Sequence, residues 1–448
     1  MTALARRTAL QLALAALGTG LLAACADDAG GGRRHGGSPP VDPDDIELVA
    51  SDVRRAAGDP SLVGAVVGGL DRLAGGLYGE LAPSDGNLVL SPYSVLVALG
   101  MTLTGAAGTT AEEMRDVLGV GALGERWHRG VNALTAHVEG LAGRQERTDG
   151  SQVELMLASA NQLFGQRETG WSADFLDLLA KEYGAPMRAV DFVGATKRSR
   201  ELVNAWVEEQ TRDRIVDLVP EGALDVLTRL VLVNAIYLEA PWEQPFEKEL
   251  TARGPFRRAD GSEVEVDLMR RPDLSAGLVT GEGWRAAVLP YAGQRLAMTV
   301  VLPDDGAFGR VEAGLTRDGF AAVLGPATPT ALDLTMPRWS FRTAAPLKDV
   351  LKALGMPTAF TEGAADFTPM TDEDLDLLID EVLHQGFIAV DEDGTEAAAA
   401  TAVVMRVESA VVTEELVLDR PFLFVIHDVE HRTPLFVGRV SDPSQGVG

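Results

Sequence analysis

The sequence predicts a single large α+β domain, preceded by a targeting segment and a tether. Three observations lead there. An ordered series of motifs, taken up below, runs from Ser61 to Pro443 and interleaves across that stretch as one unit. Hydrophobic residues make up 46% of the chain, enough to fill a large core, and no internal repeat or low-complexity array divides it. A run of small residues near the C-terminus, set between two strongly apolar segments, has the pattern of a strand where a loop is expected. The 448-residue length taken alone would suggest about three domains at ~150 residues each; the interleaving favours one.

The first 24 residues read as a lipoprotein signal peptide. Arg6 and Arg7 form a basic n-region, and Ala9 to Ala24 carries no charge. Leu22-Ala23-Ala24-Cys25 fits a bacterial lipobox, at which a signal peptidase cuts before a cysteine that becomes lipid-modified. An ordinary secretory signal is the alternative. Cys25 is the only cysteine, so no internal disulfide can form. Arg6-Arg7 also fits a twin-arginine export signal, loosely. The expected location is the outer face of a bacterial membrane, held by lipid, or free secretion. Residues 25–45 are rich in Gly, Pro and Asp, a composition that buries little apolar surface, and are read as a flexible tether. Residues 46–448 form the domain.

Net charge is −27, and loss of residues 1–24 removes Arg6 and Arg7 but no acid, giving −29. Such an acidic chain argues against nucleic acid as a partner. An enzyme reading finds no support. There is no G-x-S-x-G elbow, no H-E-x-x-H, no Walker A and no second Cys for a thiolate metal site. Asp372-Glu-Asp374-Leu-Asp376 begins like a calcium loop, but its sixth position is Leu377 and its twelfth is Leu383. No metal and no cofactor are expected.

Asp391-Glu-Asp-Gly394 introduces the run of small residues. With the two-residue period of a strand, Thr395, Ala397, Ala399, Thr401, Val403 and Met405 share one face. Glu396, Ala398, Ala400, Ala402, Val404 and Arg406 share the other, which carries both charges. The first face can therefore be buried without stranding a charge. An Ala-rich helix is the competing reading.

The flanking motifs favour the strand. Glu392 to Thr401 resembles the reactive-centre loop hinge of the serpins, a family of protease inhibitors: an acidic residue, then Gly394, Thr395, Glu396 and the small residues Ala397, Ala398, Ala399, Ala400 and Thr401. Asn87 to Ser94, with Ala98 to Met101 and Gly105 to Thr110, resembles the family's helix B region. Asn161-Gln-Leu163-Phe164 resembles the strand after helix D. Ile215 to Val219, Val233-Asn234, Trp242 and Pro245-Phe246 resemble the strand leading into the "breach". Pro421 to Phe424 and Pro434 to Pro443 resemble the closing signature.

The resemblance implies about nine helices around three β-sheets, with an exposed reactive-centre loop. It also implies a mechanism. A target serine protease attacks the loop as substrate, and the cleaved hinge inserts into the main sheet as a new strand, carrying the acyl-enzyme with it. From Thr395 the scissile bond lies roughly fourteen residues on, about 46 Å at ~3.3 Å per residue. Ser91, Ser94, Asn234 and His384 match the family's "shutter", and Trp242 matches the breach tryptophan. Family helix D often binds heparin through basic residues, but His128 to Arg147 has no dense basic cluster, so no such cofactor is expected.

Counting from the hinge places the reactive bond at Glu408-Ser409. Counting back from Pro421-Phe422 gives Ala410-Val411. A Glu before the bond suits a basic or permissive protease pocket, whereas Val407, Ala410 and Val411 suit elastase-like or subtilisin-like enzymes. Arg406 suits a trypsin-like enzyme only if the bond shifts toward the hinge. The leading expectation is a monomeric inhibitor forming a covalent complex with an extracellular serine protease. A non-inhibitory surface binding or carrier module is the alternative; bulky or charged residues at the buried hinge positions would favour it, and here those positions are Thr and Ala.

Overall fold

The computed structural model describes residues 42–83, 86–396 and 413–446, without the side chains of Asp44 and Ser159. Cys25, Ala397 to Thr401 and the Glu408-Ser409 bond lie outside the described residues. Among those described, eight α-helices pack on two β-sheets.

The main sheet has eight strands. In spatial order they are Glu47–Val49, Met187–Val190, Gln152–Gln166, Leu230–Pro241, Gly394–Thr395, Glu381–Val390 and Trp339–Pro346, with Gly143–Glu146 paired to Gln152–Gln166. Leu230–Pro241 is all but continuously buried because both faces are covered. Leu232, Ile236 and Leu238 face the large core around helix Pro92–Leu103. Val231, Val233 and Ala235 face a second core under helix Phe192–Gln210.

All twelve residues of helix Pro92–Leu103 are buried. Its start is set locally: Ser91 is extended, its hydroxyl accepts the Ser94 N–H at 3.2 Å, and Pro92 takes the first helical position. Glu47–Val49 pairs with Met187–Val190, and Ile46 is buried beside it. Pro43–Asp45 forms a short 3-10 helix, and Asp45 pairs with Arg198 at 3.4 Å, so this end of the expected tether is packed on the domain.

The other sheet has nine strands where two smaller sheets are expected. The difference lies in the 19-residue strand Glu263–Gly281. It pairs with Ala252–Arg257 near its start, with Thr328–Pro337 along most of its length, and with Trp284–Pro290 near its end. One long strand therefore joins both pairings into a continuous ladder, bent by a register shift between Leu332 and Leu334. The segment Ile215 to Val219 is irregular and precedes the strand instead of forming it.

Candidate functional site

The site lies along one seam of the main sheet. Leu230–Pro241 and Glu381–Val390 run parallel and pair from Val231 opposite Glu381 to Ile236 opposite Gly386. In that register Ala240 would face Val390. Instead both pair with Thr395, which stands between them as part of the two-residue strand Gly394–Thr395. The two strands are joined below and wedged apart above.

At the joined end, Asn161, Asn234 and His384 form a row across three adjacent strands. On their own strands, Leu163, Leu232 and Val382 two residues away belong to the large core, so the three polar groups replace apolar ones on the core-facing side. Asn234 and His384 are buried, as are Ser91 and Ser94 beneath them. Such groups must find partners within the protein.

They do so with donors matched to acceptors. The Ser91 N–H donates to His384 Nε2 at 3.1 Å. Nε2 is thereby the acceptor, so Nδ1 carries the proton and donates to Asn234 Oδ1 at 2.5 Å. The Asn234 amide gives one hydrogen to Ser94 Oγ and the other to Asn161 Oδ1, both at 2.6 Å. Ser94 Oγ donates in turn to Asn161 Oδ1 at 2.7 Å. Burial pushes the His384 imidazole down to about 4, so the ring is neutral near pH 7. The network carries no charge.

At the wedged end the groups are aromatic and charged. Trp242 stacks on Tyr291 with centroids 4.6 Å apart and planes within 3°. Its Nε1 donates to the Asp391 carbonyl at 3.0 Å and its backbone N–H to the Asp393 carbonyl at 2.9 Å. The Tyr291 and Thr395 hydroxyls share a hydrogen bond of 2.6 Å, and both residues are buried.

The acidic turn before Thr395 is also fixed. Asp391 Oδ1 accepts the Asp393 N–H at 2.9 Å and the Gly394 N–H at 3.2 Å. Gly394 has no room for a side chain, since a Cβ there would lie 2.3 Å from the Ala240 carbonyl oxygen. Glu392 is buried, and its Oε1 accepts from Arg338 Nε at 2.8 Å, from Arg338 Nη2 at 2.5 Å and from the Thr251 hydroxyl. Burial alone would raise this carboxyl, but the Arg338 and Thr251 hydrogen bonds prevail and hold it below the usual range.

Glu396 follows the last residue of the strand Gly394–Thr395. Its φ is 53°, in the left-handed region, and its N–H still donates to the Ala389 carbonyl at 2.9 Å. The side chain is 4% exposed and paired to Arg214 Nε at 3.1 Å. Burial raises its carboxyl above the ordinary value; the Arg214 charge and a Tyr237 hydrogen bond oppose that only in part, and Glu239 and Asp391 add to the rise.

The structure thus brings together Ser91, Ser94, Asn234 and His384, and separately gathers Trp242, Glu392, Gly394, Thr395 and Glu396. Sequence reasoning missed Asn161 as a member of the first group, although its strand motif stood out. It also missed Tyr291, Arg338, Thr251 and Arg214 in the second, for which the sequence gives no local signal.

The profile of the family described as Serpin (serine protease inhibitor) matches residues 69–443. Serpin B6 of Pongo abelii is 36% identical over 80% of this chain and 93% of its own length. The leukocyte elastase inhibitor of Bos taurus is 34% identical over 80% of this chain and 93% of its own. Among solved structures, the native state of the thermophilic serpin tengpin superposes with a TM-score of 0.76, at 26% identity, covering 88% of this chain and 97% of that one. The chain belongs to the serpin family and has its α+β fold. It is a member of a family of protease inhibitors, not of catalysts.

Proposed function

We propose that this chain is an inhibitory serpin that traps serine proteases as a suicide substrate. The observation that carries the proposal is the seam: Thr395 already stands as a strand residue between Ala240 and Val390. Cleavage beyond it frees a segment whose first residue is in register for insertion. Glu396 then leaves its left-handed conformation for an extended one, which relieves on the order of 1 kcal/mol of backbone strain. The small residues Ala397 to Thr401 follow into the seam, and the network at its lower end must open for them. Asn234 and His384, with Ser91 and Ser94, act as the gate; Trp242 and the Glu392 anchor hold the entry.

The reactive bond is Glu408-Ser409, because insertion depth is counted from Thr395, whereas a longer segment on the far side only lengthens a tether. The targets are extracellular serine proteases of elastase-like, subtilisin-like or Glu-specific type. The chain is exported by residues 1–24 and held on a bacterial membrane through lipid on Cys25. Residues 25–45 give it reach, and one inhibitor domain follows.

The test is a denaturing gel of the chain mixed with an elastase, a subtilisin, a glutamyl endopeptidase and trypsin, with mass spectrometry of the released peptide. A boiling-resistant band of summed mass and a peptide beginning at Ser409 are expected. Cleavage by all four without an adduct would sink the inhibitor reading for these targets and leave a binding module. Fractionation of expressing cells tests the anchor: Cys25→Ala should move the protein from membrane to medium.

A further inference from the structure

Two partly exposed histidines, far apart in the sequence, meet in space. His137 stands near the end of helix Arg126–Glu139, and His431 lies in the turn between strands Phe422–Asp428 and Pro434–Val440. Their ring centroids are 4.6 Å apart at an interplanar angle of 66°. Glu430 lies between them: Oε2 is 3.9 Å from His137 Nδ1, and Oε1 is 3.8 Å from His431 Nε2. One ligand atom from each of the three falls within 4.8 Å of the other two.

Proximity alone would be weak. The second observation is Asp428, whose side chain is fully buried. Its Oδ1 accepts from His137 Nε2 at 3.0 Å and from the His431 N–H at 2.9 Å, while Oδ2 accepts the Thr433 N–H at 2.9 Å. A carboxylate only accepts, so Nε2 carries a proton, and Nδ1, on the Glu430 side, is the nitrogen left to bind a metal. A buried carboxylate that fixes the tautomer and the ring angle is the usual support behind a metal-binding histidine. The same carboxylate pins the backbone of His431.

We propose that His137, Glu430 and His431 bind a divalent transition-metal cation of the Zn²⁺ class, with Asp428 as the positioning residue. Two imidazoles and one carboxylate suit Zn²⁺ and its neighbours Co²⁺, Ni²⁺ and Cu²⁺ better than Ca²⁺ or Mg²⁺. Metal–ligand distances of about 2.0–2.2 Å in a tetrahedron require donors roughly 3.4 Å apart. Donors up to 4.8 Å apart must therefore close by up to about 1.4 Å, which the turn can supply: the Glu430 side chain is 71% exposed and can change rotamer freely. Water completes the fourth position. The bound ion ties the helix before the Gly143–Glu146 and Gln152–Gln166 strands to a hairpin of the other sheet, so it clips two layers of the native state together.

The test is competition with a chromogenic chelator for Zn²⁺ by the full chain, untagged and carrying His35→Ala in every sample to remove the histidine of the tether. One equivalent of Zn²⁺ should bind, and Co²⁺ should give the intense visible absorption of a four-coordinate site. His431→Ala and Glu430→Gln, both on the surface turn, should each weaken Zn²⁺ binding at least about tenfold, and Asp428→Asn by about 10–100-fold. Zn²⁺ should raise the melting temperature of the parent and not of the His431→Ala, Glu430→Gln double variant. No saturable equivalent overturns the proposal, and so does an equivalent that survives the double variant.

Discussion

The two ends of the seam between Leu230–Pro241 and Glu381–Val390 are held by different physics. The lower end is a neutral lattice in which each donor of His384, Asn234 and Ser94 meets an acceptor. Opening it leaves several buried groups orphaned at once, so it resists in an all-or-none way. The upper end is already open, and Thr395, Trp242 and Tyr291 fill it. Its charges, Glu392 with Arg338 and Glu396 with Arg214, fix the residues on either side of the strand Gly394–Thr395. On the proposed mechanism, a strand starts to enter from above without disturbing the network below. The contrast teaches that entry and opening are separable, and it can be broken in four ways.

The largest effect is expected from Thr395→Arg. Its position is buried against Tyr291, and an unpaired guanidinium there costs at least about 3 kcal/mol. We predict that insertion loses its race with hydrolysis by a hundredfold or more. On the gel, a target that forms the covalent band with the parent should cleave this variant cleanly; an undiminished band would refute the placement of Thr395.

Asn234→Ala attacks the other end. It removes three hydrogen bonds and strands the His384 Nδ1–H. A loss of about 3 kcal/mol is expected, read as a shorter half-life of the uncleaved protein at a fixed elevated temperature. If the half-life does not change, the lattice is not what keeps the sheet closed.

Acid should act on the two ends with opposite signs. His384 titrates at about 4 in the folded protein against an ordinary 6.5. The opened state therefore binds the proton more tightly, and stability falls as pH drops from 6.5 toward 4, by on the order of 1–2 kcal/mol at pH 5. Buried His128 and His427 are lowered to about 4 as well and add to the trend. His384→Gln should flatten the pH dependence by one histidine's share, and equal acid sensitivity in parent and variant would count against it.

The smallest effect is at the hinge. The Glu396 carboxyl is raised above 4.5 while docked among Arg214, Tyr237, Glu239 and Asp391. Docking should therefore tighten as pH falls through that raised value and loosen as pH rises above it. Tryptophan fluorescence, sensitive to the Trp242 stack, should show a transition that Glu396→Gln abolishes. A transition that persists in the variant belongs to another group.

Much of this was legible along the chain. Ser91-Pro92 announces a capped helix start, and Asp391 to Gly394 announces a turn that only Gly394 can complete against the Ala240 carbonyl. The nearly unbroken apolar run of Leu230–Pro241 points to two buried faces, and Asn234 stands out as a polar interruption of one of them. Other parts were not legible. Nothing local marks Arg338 as the partner of Glu392, 54 residues away. The fusion of the two smaller sheets follows from how far Glu263–Gly281 continues to find partners, which residue propensity does not decide. His137 and His431 carry no ligand spacing because their distance in sequence has no fixed relation to their distance in space.

By itself the sequence determined what neighbours along the chain can settle: caps, turns, the two faces of each strand and the order of the family's motifs. Those depend on backbone preference and on the periods of helix and strand, which a few adjacent residues specify. Only the tertiary structure decided which buried polar groups meet. His384 lies 150 residues from Asn234 and 293 from Ser91, yet the proton position on its ring depends on both contacts, and its lowered basicity comes from burial, which outweighs the Asn234 hydrogen bond. Such properties belong to the packed environment, because hydrogen bonding and desolvation act over a few ångströms in space whatever the separation in sequence.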